Sequence, residues 1–250
     1  YNMISGEYSR IGLGNYKDLF GDKDFTKALR NTSIYVVFVV PCSIALSLLI
    51  AVLLNSNIKF RGLFQTIFFL PYVTSVIAIG LVWSWIFNSN YGLLNYVLSW
   101  FGIAKVQWLN KPKYALPSLI IFSVWKSMAF DILIFLAGLQ TIPKDLYNAA
   151  RVDSTPRWRV FWKITVPGIA PMISYAFIMG FISAFKVYNE VFSLWGGKAG
   201  PANSAITVVY YIYDKFYNSH NYGLASAAAV ILFLIILVLT VVQRMMGKKK

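Results

Sequence analysis

Four ionisable side chains, Lys126, Asp131, Lys186 and Glu190, fall inside long apolar runs. A charge near the centre of a bilayer costs about 2.5–3.5 kcal/mol on insertion scales, so each needs a partner or water. Lys186 and Glu190 stand four apart, a spacing that pairs them on one helix face, with Asn189 nearby. Lys126, Ser127 and Phe130 share a second face, and Asp131 sits beside it. Tyr72 follows Pro71, where a kink would open the backbone. Carboxylate, amide, ammonium and hydroxyl groups hydrogen-bond a polyhydroxylated ligand, and aromatic rings cover its C–H faces. The same residues also read as buried or interfacial pairs that only fix helix packing, with Glu190 at the outer interface near Trp195. Residues alone leave both readings open.

Other chemistry is poorly supplied. The chain has one histidine, His220, and one cysteine, Cys42, too few for a zinc site or an internal disulfide. It carries no H-E-x-x-H, no G-x-x-x-x-G-K-[ST], and no Ser–His pairing at a useful depth. Gly196-Gly197-Lys198 lacks the spacing of a phosphate loop. The sequence therefore predicts neither an enzyme nor a cofactor bound by this chain. Cys42 reads as a packing residue. Trp83, Trp85, Trp100 and Trp108 read as an outer aromatic belt.

The elements that hold these residues are set by composition. Of 250 residues, 58% are hydrophobic and 13% charged, and mean hydropathy is +0.61. An ordinary soluble domain is about 25% charged, so an all-α integral membrane protein is expected. Five runs reach the roughly 20 residues that cross about 30 Å of hydrocarbon. They are Thr32–Leu54, Leu63–Phe87, Tyr114–Ile142, Gly168–Trp195 and Gly223–Gln243. The runs are continuous, not alternating, which favours helices over a barrel.

Net charge is +14. In a soluble chain this would point to nucleic acid; here it points to basic cytoplasmic loops, and no nucleic acid is expected. Loops 55–62, 143–167 and 244–250 hold 11 Lys and Arg in 40 residues. Loops 1–31, 88–113 and 196–222 hold 10 in 84. The denser side is cytoplasmic by the positive-inside rule, and the C-terminus with it. The chain begins at Tyr1 in a polar segment on the outer side. One further helix upstream would return the N-terminus to the cytoplasm and make six spans. The outer segment Ile206–Tyr217 reads either as an interfacial helix or as an extension of the last span.

Segment 143–167 reads PKDLYNAARVDSTPRWRVFWKITVP. Pro143 suits a first helical position, with Lys144 and Asp145 in the first turn. Asp153-Ser154-Thr155 is a turn cluster. Thr155-Pro156 then offers a cap before a second helix, Arg157–Lys163. Ala149 and Ala150 would let another protein approach closely, and Arg151, Arg157, Arg159 and Lys163 would meet an acidic rim. The plainer reading is a solvated basic loop that fixes topology.

This segment resembles the "EAA" loop of the permease subunits of ATP-binding-cassette importers. That pattern is Glu-Ala-Ala, three residues, Gly, nine residues, Ile, any residue, Leu-Pro. Here Asn148-Ala149-Ala150, Arg151–Asp153, Ser154, Thr155–Lys163 and Ile164-Thr165-Val166-Pro167 keep the spacing. Asn148 replaces Glu, Ser154 replaces Gly and Val166 replaces Leu. Asn15-Tyr16, Phe69-Leu70-Pro71-Tyr72, Leu136–Gln140 and Gly200-Pro201-Ala202 are similar to carbohydrate permeases of the maltose and multiple-sugar class, nearest its maltose "F" type.

The resemblance implies a type I importer permease fold in a single domain over residues 1–250 of a bacterial cell membrane. It implies a second permease subunit, two ATPase subunits holding ATP and Mg, and an external sugar-binding protein. It implies uptake of a sugar or oligosaccharide by alternating access. ATPase coupling falls to Leu146, Tyr147, Asn148, Ala149, Ala150, Arg151, Asp153 and Ser154. The sugar pathway falls to Tyr72, Lys126, Ser127, Phe130, Asp131, Lys186, Asn189 and Glu190. Read from the residues, Ile206–Tyr217 together with Gly196–Asn203 would either help receive the binding protein or serve as a simple interfacial anchor. A lone secondary transporter or channel, relaying ions through its intramembrane Lys and Glu, is the alternative.

Overall fold

A computed structural model describes residues 12–56 and 59–247. The basic tail Lys248–Lys250 lies outside the described residues. Among the described residues all regular structure is helical. In chain order the helices are α1 Gly14–Gly21, α2 Lys23–Asn55, α3 Arg61–Val73, α4 Val76–Ile86, α5 Leu93–Trp100 and α6 Pro112–Thr141. There follow α7 Lys144–Val152, α8 Arg157–Gly168, α9 Ala170–Phe185, α10 Asn189–Leu194, α11 Val208–Tyr213 and α12 Tyr222–Gly247.

Helices α2, α6 and α12 are each long and apolar enough to cross a membrane, and the count reaches five if α3–α4 and α8–α9 each form one bent span. Pro41 and Pro117 sit inside α2 and α6 without ending them. Two expected spans are not single helices. Leu63–Phe87 breaks at Thr74–Ser75, where the backbone is extended. Pro71 has already removed one helix N–H, and Thr74 donates its hydroxyl back to the Leu70 carbonyl at 2.7 Å. Gly168–Trp195 is interrupted twice, at Ile169 and at Lys186–Tyr188. The second interruption has a tertiary cause. The Thr207 hydroxyl donates to the Val187 carbonyl at 2.9 Å and holds it off any helical ladder.

The chain divides into two compact units. Among the described residues the first comprises 12–39, 75–123 and 181–247. Its α4 and α10 pack closely: a Cβ on Gly80 would lie 2.0 Å from the Ser193 Oγ, so only glycine permits the crossing. Close backbone approach at small residues is how helices associate where lipid is as apolar as the protein. The loop before α11 is fastened to α2 by three side chains. Lys27 donates to the Ala202 carbonyl, Asn31 donates to the Ser204 and Ile206 carbonyls, and Thr32 accepts from the Val208 N–H. Residues 206–217 do not extend the last span, because a turn at 219–221 separates them from α12.

Asp22 caps α2: its Oδ1 accepts from the Asp24 N–H at 2.8 Å. Its Oδ2 accepts from the Tyr211 hydroxyl at 2.8 Å and pairs with the Lys215 ammonium at 3.0 Å. Burial alone would raise this carboxyl. The hydrogen bonds from Lys215, Tyr211 and the Asp24 N–H, with the Lys215 charge, outweigh it and hold Asp22 below the usual range. A carboxyl depressed in the folded state contributes stability above its unfolded pKa of about 3.9, and that contribution is lost as pH falls through the folded value. Asp22→Asn should therefore lower the melting temperature of detergent-solubilised protein at pH 7. The gap from wild type should shrink below about pH 4.

The loop 88–111 is organised by Asn95, a buried side chain on α5. Its Nδ2 donates to the Ser89 and Val106 carbonyls, and its Oδ1 accepts from the Val106 N–H and the Trp108 indole N–H. Trp108 and Trp83 both pack against Phe87. The four-tryptophan belt is thus two exposed residues, Trp85 and Trp100, and two packed inward. Cys42 is exposed, not packed: a helix apolar all round does not reveal its inner face.

The second unit comprises residues 40–74 and 124–180. Its core joins Leu48, Ala51 and Leu54 of α2 to Ile132, Phe135, Leu136 and Leu139 of α6, with Ile142, Ile169 and Ala176. A Cβ on Gly138 would come within 2.9 Å of Met172, so α6 and α9 meet closely at that glycine. Tyr147, Phe161 and Ile164 extend this core toward the 143–167 segment.

Candidate functional site

Helix α7 starts one residue later than its proline suggested. Pro143 is the residue before the helix and Lys144 is the first inside it. Asp145 in the first turn and Arg151 in the last both complement the helix dipole. Beyond Asp153, the Thr155 N–H bonds the Ala150 carbonyl at 2.9 Å and the Ser154 N–H bonds the Arg151 carbonyl at 3.0 Å. This is a Schellman closure, which needs a left-handed residue at Ser154. Ser154 supplies it with φ of +49°.

The same closure ends α5, where Ile103 and Gly102 bond the Leu98 and Ser99 carbonyls. There the left-handed position, φ +70°, is glycine. The contrast explains why the importer pattern carries glycine where this chain has Ser154. A left-handed residue with a side chain costs about 1 kcal/mol. Ser154→Gly should therefore raise the melting temperature of the purified protein while leaving uptake intact; a fall would show that the Ser154 side chain has its own role.

Helix α7 is two-faced. Tyr147 and Ala150, three apart, turn inward: Ala150 is buried, and the Tyr147 hydroxyl lies 3.2 Å from the Thr165 hydroxyl. Asp145, Asn148, Ala149 and Val152 form the exposed stripe at i, i+3, i+4 and i+7. So only Ala149 of the alanine pair is open to another protein. Ala150 is small because its own chain closes over it. Besides Asp145, Val152, 86% exposed, is a stripe residue outside the expected coupling set. Its signal was the seven-residue step from Asp145. Pro156, not Thr155, precedes the second helix, which continues through a π-helical turn at Phe161–Thr165.

Among the pathway candidates, Tyr72 and Phe130 stack with ring centroids 5.1 Å apart and planes 19° apart. Tyr72 also touches Phe69 and is 53% exposed, so the stack has an open aromatic edge beside the helix break. Lys126 and Ser127 are half-buried one turn earlier on α6. Asp131 is buried, with Ser43 close to its carboxyl. Lys186, Asn189 and Glu190 belong to the first unit. They correct the expectation of an i, i+4 pair on one helix. Lys186 lies in the interruption after α9, while Asn189 and Glu190 open α10.

A helical membrane protein with a structured loop of this kind can be compared with known proteins. Residues 43–250 match the model of the binding-protein-dependent transport system inner membrane component. The chain belongs to that family. It is a multi-pass inner membrane protein and a transport subunit, not an enzyme, and the lone-carrier alternative falls. Relatives include the arabinooligosaccharides transport permease AraP of Halalkalibacterium halodurans, 35% identical over 96% of this chain and 76% of that protein. The trehalose/maltose transport permease MalF of Thermococcus litoralis is 33% identical over 95% of this chain and 80% of that protein. Among solved structures, a chain of a bacterial alginate ABC transporter, in complex with an alginate pentasaccharide-bound periplasmic protein, superposes with a TM-score of 0.86. It is 26% identical, with 96% of this chain and 83% of that chain covered.

Proposed function

We propose that this permease is one half of a heterodimeric sugar or oligosaccharide importer. An external binding protein delivers the sugar. A second permease completes the pathway, and two ATPases hold ATP and Mg on the cytoplasmic side. Five spans and a cytoplasmic C-terminus complete the topology.

In this reading α7 is the coupling helix. Its exposed stripe enters a cleft of one ATPase, while Tyr147 and Ala150 tie it to the α6 and α9 core. Closure of the ATPases on ATP would then pull α7, and α7 would pull the helices that carry the pathway. The Tyr72–Phe130 stack offers an aromatic face to sugar C–H groups, and Lys126 and Ser127 offer donors to hydroxyls. Asp131, Lys186, Asn189 and Glu190 supply further polar groups along the pathway. Of these, Asp131 is buried within its own unit. The stripe of α7 supports this reading most strongly, because a passive connector has no use for a closed helix with one small, open face.

The direct test is purification of the tagged chain from its native membrane, with mass spectrometry of what accompanies it. A second permease and an ABC ATPase are expected, with uptake of radiolabelled oligosaccharide once the complex is reconstituted with its binding protein. Isolation as a lone oligomer in several detergents would overturn the reading.

A further inference from the structure

The coupling stripe lies on α7, yet the next helix carries a second exposed face of different chemistry. On α8, Trp158 is 64% exposed and Trp162 is 62% exposed, four residues apart. Arg157, Arg159 and Lys163 are exposed beside them. The Arg159 guanidinium sits 5.6 Å from the Trp158 ring centre. The opposite side of the same helix is spent inward: Phe161 and Ile164 pack on the second unit's core, and Thr165 is buried against Tyr147. The two large indoles thus have no role inside their own unit's core.

Their setting favours one occupant. Helix α8 turns 67° away from α9. If α9 spans the bilayer, α8 lies much closer to the membrane plane. Neither α8 nor α9 carries an acidic residue, so the helix face itself holds nothing that would repel phosphate, and Asp153 lies in the turn before it. Indole rings favour the headgroup level, and an in-plane helix with aromatic and basic residues exposed is the form that binds anionic lipid surfaces.

We propose that the outward face of α8 binds the anionic headgroups of the cytoplasmic leaflet. Trp158 and Trp162 seat among the glycerol and carbonyl groups, and Arg157, Arg159 and Lys163 contact phosphates. The face would fix the depth of the 143–167 segment and so give α7 a firm base to push against. The proposal rests on the cytoplasmic placement of that segment.

The test uses the purified complex reconstituted in phosphatidylcholine vesicles containing brominated phosphatidylglycerol, or brominated phosphatidylcholine alone. Tryptophan quenching should be greater with the brominated anionic lipid. W158F/W162F should lose that excess, and R157Q/R159Q/K163Q should lose it with the ATPase still bound. High salt should shrink the excess in wild type. Equal quenching of wild type and W158F/W162F would overturn the proposal. So would unchanged lipid preference in R157Q/R159Q/K163Q with the ATPase lost, which would make α8 a protein-docking face. Absence of any ATPase from the wild-type complex would strike the importer reading instead, while the lipid preference is read independently.

Discussion

Ala149→Arg is expected to stop uptake in a permease that still folds and inserts. Ala149 is exposed in the middle of the α7 stripe, so a long charged side chain meets nothing in its own chain. It would instead prop the helix away from the ATPase. A central interface position costs about 2 kcal/mol or more when disrupted, so ATPase retention on purification should fall by roughly 30-fold. Ala150→Arg makes the control. That side chain is buried, and an unpaired charge there costs several kcal/mol, so this variant should fail at folding. Normal uptake by Ala149→Arg would remove α7 from the coupling mechanism. Loss of the membrane-inserted protein itself would show that Ala149 is structural.

The second large effect is expected at Tyr72. Tyr72→Ala removes the open half of the stack on Phe130 and should reduce uptake by about tenfold or more, since an aromatic anchor at a binding site is worth about 1.5 kcal/mol or more. The loss should fall mainly on the apparent affinity for sugar, with the ATPase retained. Tyr72→Phe keeps the stack and loses one hydroxyl, so its uptake should lie between the two. If Tyr72→Ala transports normally, the stack only packs α3 against α6. If the complex dissociates, the same conclusion follows by another route.

The helical class and the α7–turn–α8 order were legible because each rests on local signals: apolar runs of membrane length, and Pro, Asp and Ser at turn positions. The breaks were not. Nothing in Phe185-Lys186-Val187-Tyr188 forbids a helix. The interruption comes from Thr207, twenty residues on, taking the Val187 carbonyl. Lys186 and Glu190 therefore looked like residues of one helix face, whereas a break separates them. Ala150 was misplaced for a similar reason. Two alanines look alike in sequence, and only the Tyr147–Thr165 contact decides which one turns inward. Cys42, on an evenly apolar helix, gave no clue to its face. Tyr72 and Phe130, by contrast, were singled out through the resemblance to sugar permeases, and the two rings do stack on one another.

Asn95 carries a consequence for how this protein can change. Its four hydrogen bonds tie Ser89 to Val106 and Trp108, so the base of the 88–111 loop is held independently of what lies between. Beyond the glycine closure of α5, Ala104 and Lys105 are exposed and give no backbone N–H to that closure. Chain added after Ala104 meets no packed neighbour and interrupts no ladder. Lineages can lengthen this loop at that joint without renegotiating the membrane helices, and an epitope placed there would report which side of the membrane it faces.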